Sequence, residues 1–317
     1  MGEQLSKRYY ASTQYLLPAD DVETRRLNAQ HNIITNAFGG KLSVAPTNLA
    51  TGDRVLESAA GSGKPVYLLS VVLFYDPQLT HRSPGIWALE FFETNRADGI
   101  TLDIECIDIS SEQFPTTHPP EIKFSVNSVV NLPNPEWTER FSFAHQRLLV
   151  AAMNDALWHL AVAELFRVVK PGAWVELVEI EAQGFGSWSV GPHSTKLAFL
   201  INTMYDKRGV IGDLSVYLPL ILKEAGFVDI KCQARHAPIG GEADAAAPHK
   251  FTQVKGFDSE MWRELWMGMK VPVIEAGGYG IVKTVEEYDS LVQGAAAEWK
   301  TSKEAYTTFY AILARKP

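Results

Sequence analysis

Arg54-Val55-Leu56-Glu57-Ser58-Ala59-Ala60-Gly61-Ser62-Gly63 is the stretch on which the fold turns. Its first half is a short buried-strand candidate that ends in an acid and runs into small residues. A strand-to-helix turn free of bulky side chains lets the backbone approach a ligand closely. Alone, a Gly-x-Gly after a strand is as often just a tight turn. The next acid sharpens the reading. Asp108, in CIDIS, closes the second strand candidate, where a carboxylate can accept both hydroxyls of a ribose, as in dinucleotide folds. The plainer reading of Asp108 is a solvated acid capping the turn at Ser110.

Outward from this unit the chain alternates strands and helices. Residues 101–109 (TLDIECIDI) alternate with period two; 121–126, 141–145, 174–180 (WVELVEI), 228–235 and 306–314 (YTTFYAILA) read as further strands. Residues 86–95 and 214–225 read as helices, as do 155–169, stopped by Pro171-Gly172. Ahead of them lies a helical preamble. Asp20 or Asp21 caps it, Leu27, Ile33 and Ile34 supply an apolar face, and Gly39-Gly40 ends it. Alternation of this kind predicts an α/β domain, a parallel-dominated sheet with helices on both faces and a ligand at the carboxyl ends of the strands. Residues 240–248 read as a loop.

The totals narrow the function. The chain has 317 residues, 46% hydrophobic, enough for a sizeable core. A net charge of −8 without a Lys/Arg cluster argues against nucleic acid and for a small-molecule partner. Two cysteines, Cys106 and Cys232, make neither a disulfide framework nor a metal site. The start lacks an apolar signal segment and no apolar run is long enough to span a bilayer. The expectation is a reduced, cytoplasmic compartment, no membrane and no metal.

RVLESAAGSG, GIWALEF, CIDIS, FSFAHQRLLVAAMND, LFRVVKPGAWVELVEI and LKEAGFVDI stand in the order found in the LaeA-like fungal methyltransferases of secondary metabolism. The N-terminal YLLPADDVETRRLNAQHNIITNAFGGKLSVAP also resembles theirs, so the likeness spans nearly the whole chain. It implies a class I methyltransferase, Rossmann-like sandwich, with a mostly parallel seven-stranded sheet whose last strand is antiparallel. It implies S-adenosylmethionine as methyl donor. By the resemblance, Glu57 and the Ala59, Gly61, Gly63 turn hold the methionine part, Asp108 the ribose, and Asn127 and Ser128 the adenine. Arg26, Gln30 and His31, in a helical extension over residues 1–50, close over the cofactor. The methyltransferase domain then covers 51–317, with acceptor-site or lid helices in about 185–300. Departures from the family pattern are Glu57 for Asp, Ala59 for Gly, Asn127 and Ser128 for acids, and Ser142 for Asp.

One more departure is an insertion. In the family pattern the turn continues as G-S-G-I-W-A, whereas here residues 64–85 (KPVYLLSVVLFYDPQLTHRSPG) separate Gly63 from Ile86. The segment is either a family-specific loop or a retained intron. Codons for Gly-Lys, Leu79-Thr80 and Pro84-Gly85 can spell splice and branch signals, which favours the intron.

For the methyl acceptor, His145 at the end of the fourth strand is the candidate general base, beside a plain structural reading. Glu179, ending WVELVEI, faces either the pocket or solvent. Arg147 orients an anionic substrate or bridges to an acid; His236 is a weaker candidate. Trp262, Leu265, Trp266 and Met269 recur at helical spacing and are either core or acceptor lid. The expected activity is methylation of a small fungal metabolite, with oxygen (carboxyl, enol or phenol) as acceptor. Two alternatives remain: a LaeA-like regulatory protein without turnover, then partly nuclear, and a dinucleotide-binding oxidoreductase, against which the G-x-G-x-x-G spacing is absent.

Overall fold

The computed structural model describes residues 21–60, 86–111, 114–181, 185–240 and 259–317. Gly61, Gly63, Asp20, the insertion at 64–85 and nearly all of the loop expected at 240–248 lie outside them.

Seven strands form one sheet. They are β1 (Arg54–Ser58), β2 (Asp103–Asp108), β3 (Ile122–Val126), β4 (Phe141–Arg147), β5 (Val169–Ile180), β6 (Val228–Pro238) and β7 (Tyr306–Arg315). Their order across the sheet is β3-β2-β1-β4-β5-β7-β6. β1 to β5 pair in parallel, while β7 slots antiparallel between β5 and β6. A mostly parallel seven-stranded sheet with an antiparallel last strand is the arrangement that the resemblance implies.

Strand periodicity separates two cores, because neighbouring side chains leave a strand on opposite faces. Val55 and Phe143 pack with Trp87, Phe91 and Phe92 of α2 (Ile86–Ala97). Their neighbours Leu56 and Ala144 belong to a second core. It also takes in Trp158 and Leu165 of α3 (Asp155–Val168) and Leu218 and Leu222 of α5 (Leu214–Glu224). The remaining helices are α1 (Asp21–Ala37), α4 (Pro192–Arg208), α6 (Ser259–Gly268), α7 (Lys270–Glu275) and α8 (Val285–Thr301). Gly39 and Gly40, at φ +71° and +80°, end α1 as expected.

One local expectation is corrected. Pro171-Gly172 does not separate a helix from a strand: α3 ends at Val168 and β5 begins at Val169. The pair sits in an irregularity of β5, where β4 steps from Phe141 to Phe143 while β5 steps from Val169 to Trp174. Gly172 takes φ +80° there, and its N–H donates to the Lys316 carbonyl at 2.9 Å. Proline lacks a ladder donor, so an irregularity is the place in a strand that tolerates it.

No described helix is long and apolar enough to cross a membrane.

Candidate active site

A cavity of about 220 Å³ opens at the carboxyl ends of β1, β2 and β4. Parallel strands bring their carboxyl ends to one edge, which is why residues far apart in sequence converge there. Of the residues named from sequence, Arg26, Leu27, Gln30, Ala59, Asp108, Ser110, Asn127, Ser128, Arg147, Leu265, Trp266 and Met269 line it.

At the polar end, Asp108 closes β2 and its Oδ1 accepts the Ser110 N–H at 3.2 Å. The capping role and the cavity position therefore coexist. The Asn127 N–H donates to the Asp108 carbonyl at 3.0 Å, tying the chain after β3 to the end of β2. The Asn127 side-chain amide donates to Ser125 Oγ at 2.9 Å. Ala59 takes φ +59°, a left-handed conformation in which a Cβ is strained and glycine is at ease. The glycine that the resemblance leads one to expect here would take this conformation without strain.

α1 brings Arg26 and Gln30 over the cavity, both buried. His31 does not line it and instead anchors the helix. Arg147 Nη1 donates to His31 Nδ1 at 2.9 Å, so the proton sits on Nε2, which donates to Glu90 on α2 at 2.9 Å. Burial, reinforced by the Arg147 charge and opposed by Glu90, holds this imidazole below its usual pKa. Burial likewise pulls the Arg147 pKa down, against the attraction of Glu57 and Glu90. Arg147 makes no salt bridge with a carboxylate among the described residues.

His145 and Glu179, expected as catalytic residues, and Glu57, expected at the methionine part of the cofactor, do not line the cavity. Glu57 and His145 are register partners on β1 and β4 and face α2. His145 Nδ1 meets Glu57 Oε2 at 2.5 Å, and Trp87 stacks flat on the imidazole at 3.9 Å. Both are 1% exposed. His145 is thus set back from the cavity: on the same face of β4 it is Arg147, two residues nearer the strand's carboxyl end, that lines it. Glu179 is also buried. Its two oxygens accept the Leu149 and Val150 N–H groups at 2.8 and 3.1 Å. It holds in place the 148–153 segment, which does form cavity wall. Burial raises its pKa to about 8, against the two N–H bonds.

The apolar end is built by α3, α4, α6 with the residue that follows it, and the segment after β4. Met153, Leu157, Tyr205, Leu265, Trp266 and Met269 meet there. Trp262 points elsewhere. It packs edge-on against Trp188 at 4.6 Å and anchors α6, with Trp266 and Trp299 around the same ring. His236 lies on the exposed face of β6, bonded to Thr308 Oγ1 at 2.8 Å, away from the cavity.

Sequence reasoning missed Ser58 and Tyr205. Ser58 Oγ donates to Gln146 Oε1 at 3.3 Å under the cavity floor. Tyr205 is 3% exposed, and its hydroxyl makes no hydrogen bond to a described residue. Burial raises its pKa, so the phenol stays protonated. No short motif signals a tyrosine inside a long helix; only the crossing of α4 over the sheet brings it in. Among the described residues no cluster of three or more His, Cys, Asp or Glu could hold a metal ion.

No protein-family model matches the chain. It is similar to fungal methyltransferases at low identity. Methyltransferase grgD of Penicillium sp is 24% identical over 206 residues, 65% of each chain. N-methyltransferase tcpN of Claviceps purpurea is 28% identical over 227 residues, 70% of this chain and 71% of the relative. N-methyltransferase sirN of Leptosphaeria maculans is 30% identical over 169 residues, 53% of this chain and 50% of the relative. The chain thus spans 65% of the length of grgD and half of sirN. Among solved structures it is similar to the [4+2]-cyclase SpnF, at 15% identity and TM-score 0.44, over 95% of this chain and 98% of that one. It is also similar to phosphoethanolamine N-methyltransferase 2 of Haemonchus contortus, at 12% identity and TM-score 0.46, over 91% and 52%.

Proposed function

We propose that this chain is an S-adenosylmethionine-dependent methyltransferase acting on a small, largely apolar molecule. The observation that carries the reading is one continuous cavity at the strand ends, with Asp108 and Asn127 at its polar end and Tyr205, Trp266 and Met269 at the other. The LaeA-like motifs and the names of the fungal relatives support it.

The residues present fit a nucleoside. Asp108 lines the cavity at the end of β2, at the position suited to ribose hydroxyls. Asn127 and Ser128 suit the adenine edge, since amide and hydroxyl groups both donate and accept. Glu57 has a buried oxygen, Oε1, with no hydrogen bond to a described residue, and suits the methionine ammonium. Arg26 and Gln30 cover the ligand from α1 and exclude water. The donor, when bound, supplies a methyl group on a positively charged sulfur.

The protein's part is orientation, which alone is worth up to ~7–11 kcal/mol in favourable intramolecular cases. Both oxygens of Glu179 are engaged, and His145 is sealed behind Trp87. With neither available as a base, the acceptor must carry an accessible lone pair at neutral pH. A carboxylate oxygen meets that need and agrees with the oxygen acceptor expected from sequence; Arg147 would orient it. A neutral nitrogen meets it equally, and tcpN and sirN are named N-methyltransferases.

Calorimetry with S-adenosylhomocysteine tests the donor half of this reading, and saturable binding is expected. Radiolabelled methyl transfer to paired apolar carboxylic acids and amines then separates the acceptor atoms. Absence of any nucleoside binding by folded protein refutes the assignment.

A further inference from the structure

His145 has no access to an acceptor, yet it is built into the molecule with care. β1 and β4 pair in register, so Glu57 and His145 leave the sheet side by side on the same face. The imidazole is fixed from two directions, by Glu57 Oε2 at 2.5 Å and by the parallel Trp87 ring at 3.9 Å with an interplanar angle of 5°. That contact uses one carboxylate oxygen. The other, Oε1, is buried and has no hydrogen bond to a described residue. An unmet acceptor on a buried acid is costly, and a folded protein keeps one where a donor will arrive. The next two residues, Ser58 and Ala59, already line the cavity.

We propose that His145 is a positioning residue. It holds Glu57 by Oε2 and thereby presents Oε1 to the ammonium group at the amino-acid end of the bound nucleoside. The proposal rests on the methyltransferase reading above and replaces the general-base role expected for His145. No proton is transferred: the imidazole N–H stays on Nδ1 and fixes the rotamer of the acid. The short backbone reach from β1 to the cavity and the rigid Trp87 stack make the pair a fixed support.

Two probes isolate this role. S-Adenosylhomocysteine carries the ammonium; 5′-methylthioadenosine shares its nucleoside and thioether but lacks the amino-acid end. Calorimetric affinities for both are measured on the folded full chain and on Glu57→Gln, His145→Ala and His145→Asn. Glu57→Gln and His145→Ala should each weaken S-adenosylhomocysteine on the order of tenfold and leave methylthioadenosine within about twofold. His145→Asn, whose amide N–H can take the place of Nδ1–H, should recover part of the loss. If His145→Ala does not fold, the Glu57→Gln and His145→Asn pair carries the comparison. Equal loss for both probes, or no loss for either, overturns the positioning role and leaves the pair as a structural clamp. Failure of the unaltered protein to bind either probe instead overturns the underlying methyltransferase reading.

Discussion

Asp108 stands at the end of a strand whose period was visible in TLDIECIDI, which is why its place at the cavity rim was legible from sequence alone. Asp108→Ala should weaken S-adenosylhomocysteine and methylthioadenosine together, by roughly 10- to 100-fold if the carboxylate accepts from ribose hydroxyls. Unchanged calorimetric affinity would remove it from the site. At Ala59 the cost is conformational. With φ +59°, Ala59→Gly should add ~1 kcal/mol of stability in urea unfolding, since glycine carries no Cβ penalty there. A loss of stability would show that the unfolded-chain entropy of glycine outweighs the relief. Tyr205→Phe deletes only a hydroxyl without a described partner. It should leave unfolding and donor affinity unchanged while lowering acceptor kcat/KM several-fold, a result that turnover assays can check. His145 and Glu179 mark the limit of legibility at this scale. A strand pattern identifies a strand end, but the face a side chain takes and the N–H groups it meets depend on register and on the following turn.

Between residue and whole, β5 and the 148–153 segment act as one unit, because the Glu179 carboxyl accepts the Leu149 and Val150 N–H groups. The Glu179 pKa is raised by burial to about 8, from 4.5. The folded state therefore keeps a proton that the unfolded chain releases above about pH 4.5. The corresponding stabilisation is present below that pH and is lost as pH rises toward 8, by on the order of 1 kcal/mol per unit. Chemical unfolding from pH 5 to 8 should show the unaltered protein losing stability relative to Glu179→Gln. A constant difference across that range would show that the carboxyl is ionised throughout. The elements themselves were largely legible, since strand and helix periods survive in single segments. The Pro171-Gly172 pair misled because proline and glycine punctuate chains in general, and only pairing with β4 and Lys316 reveals an irregular strand instead of a break.

At the scale of the molecule, α1 and α6 meet over the sheet edge, and each gives side chains to the cavity. At about 100 times its dissociation constant, S-adenosylhomocysteine should add ~2.7 kcal/mol to stability. Amides that exchange by local opening should slow in both helices and stay unchanged in α5. Unaltered exchange in α1 would place the ligand elsewhere. Of the helices around this roof, α8 carries a regular apolar stripe, Tyr288, Leu291, Val292, Ala295, Ala296 and Trp299, that spacing alone could have signalled, whereas α4 buries Ser194 among its apolar residues and shows no such contrast between its faces. The position of β7 carries a consequence for biosynthesis. Of the described strands it is the last in chain order, yet it is inserted between two that precede it, and among them β6 pairs with β7 alone. A nascent chain that has just released residue 240 therefore has β1 to β4 available to assemble the nucleoside half of the site. Until β7 leaves the ribosome, β5 keeps one unpaired edge and β6 lacks its described partner, a state open to wrong pairing.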